Sequence, residues 1–239
     1  MRVLVIGDSC IDKFIYGNVN RICPEAPVPI FHPSYETSNQ GMAANVANNL
    51  KSLGLSVDLV TNKNKILKTR YIDDKSGQML IRIDEQDFCE SINKSENFNK
   101  NYEALVVSDY NKGFLNIDYM KEISEKFTIP KFIDTKKNLG DWIKNFNYIK
   151  INKFEWDKRD KNYNYNNAII TKGSSGALYK GKVYSVEKKV NVSNVSGAGD
   201  TFLAGLVFEY LKSNNIIKAI KFANSCASKV VQYRNVTTI

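Results

Sequence analysis

Short, wholly apolar runs that each stop at a polar residue set the limits on what this chain can fold into. Val3-Leu4-Val5-Ile6 runs into Gly7-Asp8, Ala104-Leu105-Val106-Val107 into Ser108-Asp109, and Ala168-Ile169-Ile170 into Thr171. Runs this short and without alternation predict strands buried on both faces. Such strands belong to an open α/β sheet, where ligands bind at the C-terminal edge on which the runs end. Lys131 to Asp134, and Asn147 to Ile151 running into Asn152, predict two further strands, and Leu55 to Val60 another.

Helical periodicity fills the gaps between them. Residues 43, 46, 47 and 50 are apolar in the stretch that opens at Gln40-Gly41 and stops at Gly54, which predicts an amphipathic helix. Ile117 to Phe127 and Ile216 to Tyr233 predict two more. Ile11 to Gly17 and Ala26 to Phe31 read as two short strands, the second an edge strand because of its prolines. Lys68 to Asp73 and Gln78 to Asp84 read as a hairpin turning at Lys75-Ser76-Gly77. A length of 239 residues suits one α/β domain spanning residues 1–239.

Charge and composition narrow the partners. The chain has 34 basic and 25 acidic residues, a formal net charge of +9. That balance suits an anionic partner such as ATP, a sugar phosphate or nucleic acid. The lysines are scattered among asparagine, isoleucine and tyrosine, with no basic stripe interleaved with aromatics, so no nucleic-acid partner is expected. No apolar run reaches membrane-spanning length and Met1 to Ile6 is too short for a signal peptide, so the expectation is a cytoplasmic protein without a membrane partner. Four dispersed cysteines and the sole histidine, His32, argue for reduced thiols and against a zinc site.

The chemistry concentrates in Asn194-Val195-Ser196-Gly197-Ala198-Gly199-Asp200-Thr201-Phe202, followed by the small apolar run Leu203 to Val207. Two glycines allow close backbone approach, and a helix beginning near Ala198 would present unpaired amides to an anion. Asp200 in the first turn would either cap the helix or take a proton from an attacking hydroxyl. Gly176 to Lys182 has the spacing of a phosphate-binding loop, but Val183 stands where serine or threonine is required. Strand-like residues follow it, which predicts a hairpin turn instead.

The Gly197-Ala198-Gly199-Asp200 stretch resembles the C-terminal signature of the ribokinase family, the PfkB-type carbohydrate kinases, departing from it at Asn194, Val195 and Ser196. The resemblance implies a ribokinase-like, mostly parallel sheet flanked by helices, with a small β lid formed by residues of about 12–36 and 68–84. It makes Asp200 the base and Gly197, Ala198 and Gly199 the anion hole. Arg21 to Pro29, Ser108 to Gly113 and Phe222-Ala223-Asn224 are similar to stretches of the bacterial heptose 7-phosphate kinases of that family. Relatives carry longer connections after Val60 and after Glu155 and a further C-terminal helix, so the fold is expected in a shortened form.

Carried over residue by residue, the resemblance assigns Asp12, Gly41, Asn45, Arg82 and Asp109 to the sugar, with Gln40 in place of the first glycine of the family's sugar motif. It assigns Lys112, Lys136, Asn152, Thr171, Gly173 and Asn224 to the nucleotide. Asn152 and Glu155 form an Asn-x-x-Glu pair whose oxygens share one face of a helical turn and suit a hydrated Mg2+. Asn45 and Arg82 also read as solvated side chains, Asp109 as a cap and Lys112 as a solvated lysine. The implied reaction is transfer of the ATP γ-phosphoryl to a sugar phosphate, in the nearest likeness the anomeric hydroxyl of heptose 7-phosphate. A kinase for another sugar or nucleoside, and a non-catalytic sugar-phosphate or nucleotide binder, are the alternatives. Relatives clasp lids in pairs, so a homodimer through the lid strands is expected.

Overall fold

In the computed structural model, residues 1–92, 98, 100–186, 190–233 and 237–239 are described. The buried runs form the expected parallel strands: β1 (Arg2–Gly7), β4 (Ser56–Val60), β7 (Ala104–Asp109), β8 (Lys131–Thr135), β9 (Tyr148–Asn152) and β10 (Ala168–Thr171). An antiparallel pair, β11 (Ala177–Tyr179) and β12 (Lys182–Tyr184), completes an eight-stranded sheet in the order β12-β11-β10-β9-β8-β7-β1-β4. The phosphate-loop look-alike is thus a hairpin, turning at Lys180 and Gly181 with φ of 47° and 75°.

Both faces of this sheet are covered, which is why its strands read as continuous apolar runs. Val3, Val5, Val106 and Phe132 pack under α1 (Ala43–Ser52), α4 (Ala198–Ser213) and α5 (Ile216–Val230). Leu4, Ile6, Leu105, Val107 and Ile133 face the opposite way, toward α2 (Ile117–Lys126) and the loop residues Leu139, Trp142, Ile143 and Phe146. Asn116 caps α2 by accepting from the Tyr119 amide, and Asn215 caps α5 by accepting from the amides of Ile217 and Lys218. Each such cap contributes about 1 kcal/mol. The connection from β9 to β10 contains only the five-residue helix α3 (Lys153–Asp157), yet the two strands still run parallel.

A second, four-stranded sheet stands at the end of β1. Its order is β3-β2-β5-β6, from β2 (Ser9–Ile22), β3 (Pro29–Met42), β5 (Ile66–Asp73) and β6 (Met79–Glu85). The first two are not the short strands that the sequence suggests. Each has 14 residues, and they pair along their length with irregularities at Tyr16/Gly17 and Val19/Arg21, so the lid covers residues 9–42 rather than starting at 12 and ending at 36. Ala26 to Val28 turn instead of pairing as a strand. Pro29 and Pro33 are tolerated because β3 is an edge strand. The last helix ends at Val230, three residues before the expected Tyr233. The carbonyl of the next residue, Val231, accepts from the amides of Ser193 and Asn194, at 2.8 and 3.2 Å, tying the helix end to the approach of the glycine-rich turn. Among the described residues no helix is long and apolar enough to cross a membrane.

Candidate active site

Parallel pairing carries the polar residues that end each strand to one edge. Cross-strand register sets Ser108 beside Asp134, Asp109 beside Thr135, Asp134 beside Lys150, and Asn152 beside Thr171. The first turn of α4 lies over this row. Gly197 precedes the helix with φ 77°, a left-handed conformation that a side chain would strain. Its carbonyl accepts from the Thr201 amide at 2.9 Å, while the Ala198 amide is directed to the Val195 carbonyl at 3.3 Å.

Asp200 sits in that first turn at 3% exposure. Its Oδ1 accepts from the Tyr110 hydroxyl at 2.6 Å and its Oδ2 from the Asn45 amide at 3.0 Å. Burial raises its carboxyl to about 6, against the opposing pull of the Tyr110 and Asn45 hydrogen bonds and the Lys150 charge; Asp134 adds to the rise. Burial, with Asp200 and Asp134 nearby, pushes the Tyr110 phenol well above its ordinary range, so it stays a donor. A carboxylate with this value is largely ionised at neutral pH and still a competent proton acceptor. Asn45 does not face solvent. It is buried in the first turn of α1, where its Oδ1 accepts from Asn49, and it reaches Asp200 rather than open space.

Beside Asp200 lies a group of alternating charges. Lys150 pairs with Asp134 at 2.5 Å, and Lys136 reaches Asp134 at 3.7 Å and Glu155 at 2.5 Å. Burial would raise the Asp134 carboxyl, but Lys136 and Lys150 outweigh it and hold Asp134 below the usual range. Burial would lower the Lys136 ammonium, but Asp134 and Glu155 outweigh it and raise it. Asn152 and Glu155 form a capping box: Asn152 Oδ1 accepts from the Glu155 amide and Glu155 Oε2 from the Asn152 amide.

Among the described residues no three histidine, cysteine or carboxylate side chains cluster as a complete metal cage. Magnesium, which keeps several waters and takes substrate phosphates as ligands, needs only one or two carboxylates. Glu155, together with the buried Asp134 Oδ1 that has no hydrogen-bond partner, fits that requirement.

A cavity of about 410 Å³ opens next to this group. Val186, Val190, Val192, Val195, Ala227 and Val231 give it apolar walls, and Thr171, Gly173, Ala198 and Gly199 stand at its polar end. Asn224 lines it too, with its amide donating to the Tyr184 carbonyl at 2.7 Å. The size and mixed lining suit a small organic ligand with one charged end. Thr171, Gly173 and Asn224, expected at the nucleotide, therefore share one cavity with Ala198 and Gly199.

Other expected residues fall on the lid side. Asp12 pairs with Arg70 at 2.6 Å, and a Cβ on Gly41 would lie 2.1 Å from Asp12 Oδ2, so only glycine leaves that carboxylate its place. Arg82 makes a two-pronged pair with Asp84, both bonds at 2.7 Å, on an exposed strand. Lys112 is paired with Asp87, itself 3.7 Å from Lys68. This sets Lys112 with the lid charges, apart from Lys136 and Asn152 with which the resemblance grouped it, because the turn after β7 folds toward the lid. Asp109 is buried and accepts from Thr135, Lys137 and the Asn111 amide, the role of a turn anchor.

Tyr110, Asp134, Lys150, Arg70 and Asp8 are not among the site residues expected from the sequence. Asp8 is fully buried and accepts from the amides of Tyr110 and Phe114 at 2.6 and 3.2 Å, fixing the turn that presents Tyr110. The available signals were a lysine inside the apolar run of β9 and an aspartate directly after that of β1. The Tyr110 hydroxyl supports a prediction. Tyr110→Phe removes a donor worth about 1 kcal/mol to the ionised form of Asp200, so any rate that needs this carboxylate ionised should lose its acid limb about 0.7 pH unit higher. A pH profile of kcat/KM identical to that of the parent would remove Tyr110 from the site.

A family profile described as pfkB family carbohydrate kinase matches residues 129–239. The bifunctional protein HldE of Nitratiruptor sp. is 28% identical over 96% of this chain; the chain spans 61% of that relative's length. Ribokinase from Thermotoga maritima has the same fold, with a TM-score of 0.71 at 15% identity, covering 98% of this chain and 94% of that one. Arabidopsis thaliana ribokinase, solved in complex with ribose and ATP, superposes with a TM-score of 0.69 at 14% identity over 98% and 93% of the two chains.

Proposed function

The chain belongs to the PfkB family of carbohydrate kinases, and on that footing we propose that it transfers the γ-phosphoryl group of ATP to a hydroxyl of a sugar phosphate. The observation that carries this reading is the buried carboxylate of Asp200, raised to about 6, in the helix turn whose Gly199 closes the polar end of the cavity. A base at that position serves a hydroxyl nucleophile. The cavity suits the adenine and ribose along its valine walls, with the phosphates directed to Gly197, Ala198 and Gly199 at the helix start, where backbone amides favour an anion.

In this mechanism Asp200 accepts the proton of the sugar hydroxyl as its oxygen attacks the γ-phosphorus, and ADP departs. Tyr110 and Asn45 hold the carboxylate in line. Lys136 balances phosphate charge, and Glu155 with Asn152, together with Asp134, would hold hydrated magnesium. Bound there, magnesium neutralises the phosphates. Asp12 and Gly41 form the wall facing the sugar, and Arg70, Arg82, Lys68 and Lys112 supply cations for its phosphate. The heptose 7-phosphate form of the reading is supported by Arg21 to Pro29 at the lid tip and by Ser108 to Gly113. The ATP-complexed Arabidopsis ribokinase supports the donor. The four cysteines, all free, are in keeping with the cytoplasm.

The test is a panel of acceptors, including heptose 7-phosphate, fructose 6-phosphate, ribose and nucleosides, with ATP and magnesium, read by ADP release. Turnover is expected to be highest with a sugar phosphate. Highest turnover with an unphosphorylated sugar or a nucleoside would replace the acceptor, and binding of ligands by calorimetry without any turnover would replace the enzyme by a binding protein.

We also assign a homodimer to this lid. Ile81 and Ile83 lie on one face of β6, an edge strand, each at least 41% exposed, an apolar pair that a second copy would cover. Sedimentation at micromolar concentration should give twice the monomer mass, and a purely monomeric protein would overturn the assignment.

A further inference from the structure

Lys150 is the one residue of the central charged group with no part in the reaction as set out above. It lies on β9, on the face that looks toward α4, with its side chain 4% exposed. A Cβ built on Gly199 would fall 2.9 Å from Lys150 Nζ, so the ammonium stands in the space that this glycine's missing side chain leaves. Side chains on a helix lean toward its amino end. Nζ is therefore on the amino-terminal side of Gly199, where an anion held by the first turn of α4 would lie.

Two further facts point to a ligand there. The helix start carries about half a positive charge beside this ammonium, so an anion lying between them would be attracted by both. The only acceptor for the three donors of Lys150 among the described residues is Asp134 Oδ2, and Asp134 is shared with Lys136. Lys136 and Lys150 thus share one carboxylate, whose other oxygen, buried, makes no hydrogen bond.

We propose that Lys150 is a catalytic residue, its ammonium contacting the oxygens of the phosphoryl group in transfer. The inference rests on the kinase reading above. As the bond from the sugar oxygen to the γ-phosphorus forms, the bond to the β,γ-bridging oxygen breaks. Its electron pair leaves with ADP, and the hydroxyl proton goes to Asp200. Lys150 takes no part in the proton transfer and acts by charge and hydrogen bonding alone, in a site where burial strengthens both. A second fixed cation beside the helix start makes the anion hole stronger than backbone amides alone would.

A purely structural pair would look similar in the resting protein, so the test separates the two. Lys150→Met leaves Asp134 buried without its nearest partner and is expected to lower stability. The decisive comparison is therefore between Asp134→Asn and the double variant Asp134→Asn/Lys150→Met, in which the buried pair is neutral. The double variant should fold yet turn over about 10²–10³-fold more slowly than Asp134→Asn, with KM for ATP within about threefold. It should also bind ADP with aluminium fluoride, which imitates the phosphoryl group in transfer, more weakly by a similar factor while binding ADP alone equally well. Equal kcat and equal aluminium fluoride affinity in the two variants would overturn the proposal. A parent protein that releases no ADP with any acceptor would remove the kinase reading, and the aluminium fluoride titration would still report on Lys150.

Discussion

Asp200→Asn is expected to lower kcat by about 10²–10⁴-fold while ATP and sugar binding stay close to those of the parent, since that is the range by which a positioned base contributes. The parent rate should rise with pH through about 6, as the carboxylate loses its proton, and level off above; the variant should lack that limb. Folding should survive. The substitution keeps the size of the side chain and removes a buried charge, although its new amide meets the donor of Tyr110 or of Asn45. Parent-like turnover from a folded variant that binds both substrates would reduce Asp200 to a helix cap. Loss of folding would make its role structural.

Gly7→Ala is expected to abolish folding. A Cβ there would lie 1.8 Å from the carbonyl oxygen of Ser108 and 2.6 Å from its carbonyl carbon, both backbone atoms of the neighbouring central strand. Neither can swing aside as a side-chain end would. Ala43, at the start of α1, closes the third side at 3.1 Å. Separating β1 from β7 breaks the middle of the sheet, a loss of about 4–5 kcal/mol or more against a total stability of about 5–15. Circular dichroism and urea unfolding would check it. A variant with an unchanged midpoint would mean that β1 and β7 do not approach this closely at Gly7.

The contrast between these two sites is also the contrast in what the sequence could disclose. Val3 to Ile6 and Ala104 to Val107 were legible as buried strands because two-sided burial leaves no room for alternation. The turn at Gly197 to Gly199 was legible because glycines before a small apolar run mark a helix start open to close backbone approach. Lys150 was not, because a lysine in a strand declares nothing until pairing puts Asp134 beside it and helix α4 above it. The contact of Asn45 with Asp200 joins residues 155 positions apart. The length of β2 and β3 escaped for a related reason: their middle residues are polar, and only mutual pairing makes them strands.

The way the lid is attached sets how it can move. A single residue, Asp8, separates β1 of the main sheet from β2 of the lid, and β3 passes at Met42 directly into α1. The two joints are tied together, since the Ala43 amide donates to the Asp8 carbonyl at 2.9 Å. Arms so short leave no slack, so any tilt of the lid must turn about an axle through Asp8 and Met42. Asp8 also grips the turn carrying Tyr110, and Asn45 lies three residues beyond Met42. The axle therefore runs between the two donors that hold Asp200. Tilting the lid would twist both mounts of the Asp200 carboxylate, so that its alignment is geared to the position of the lid rather than independent of it.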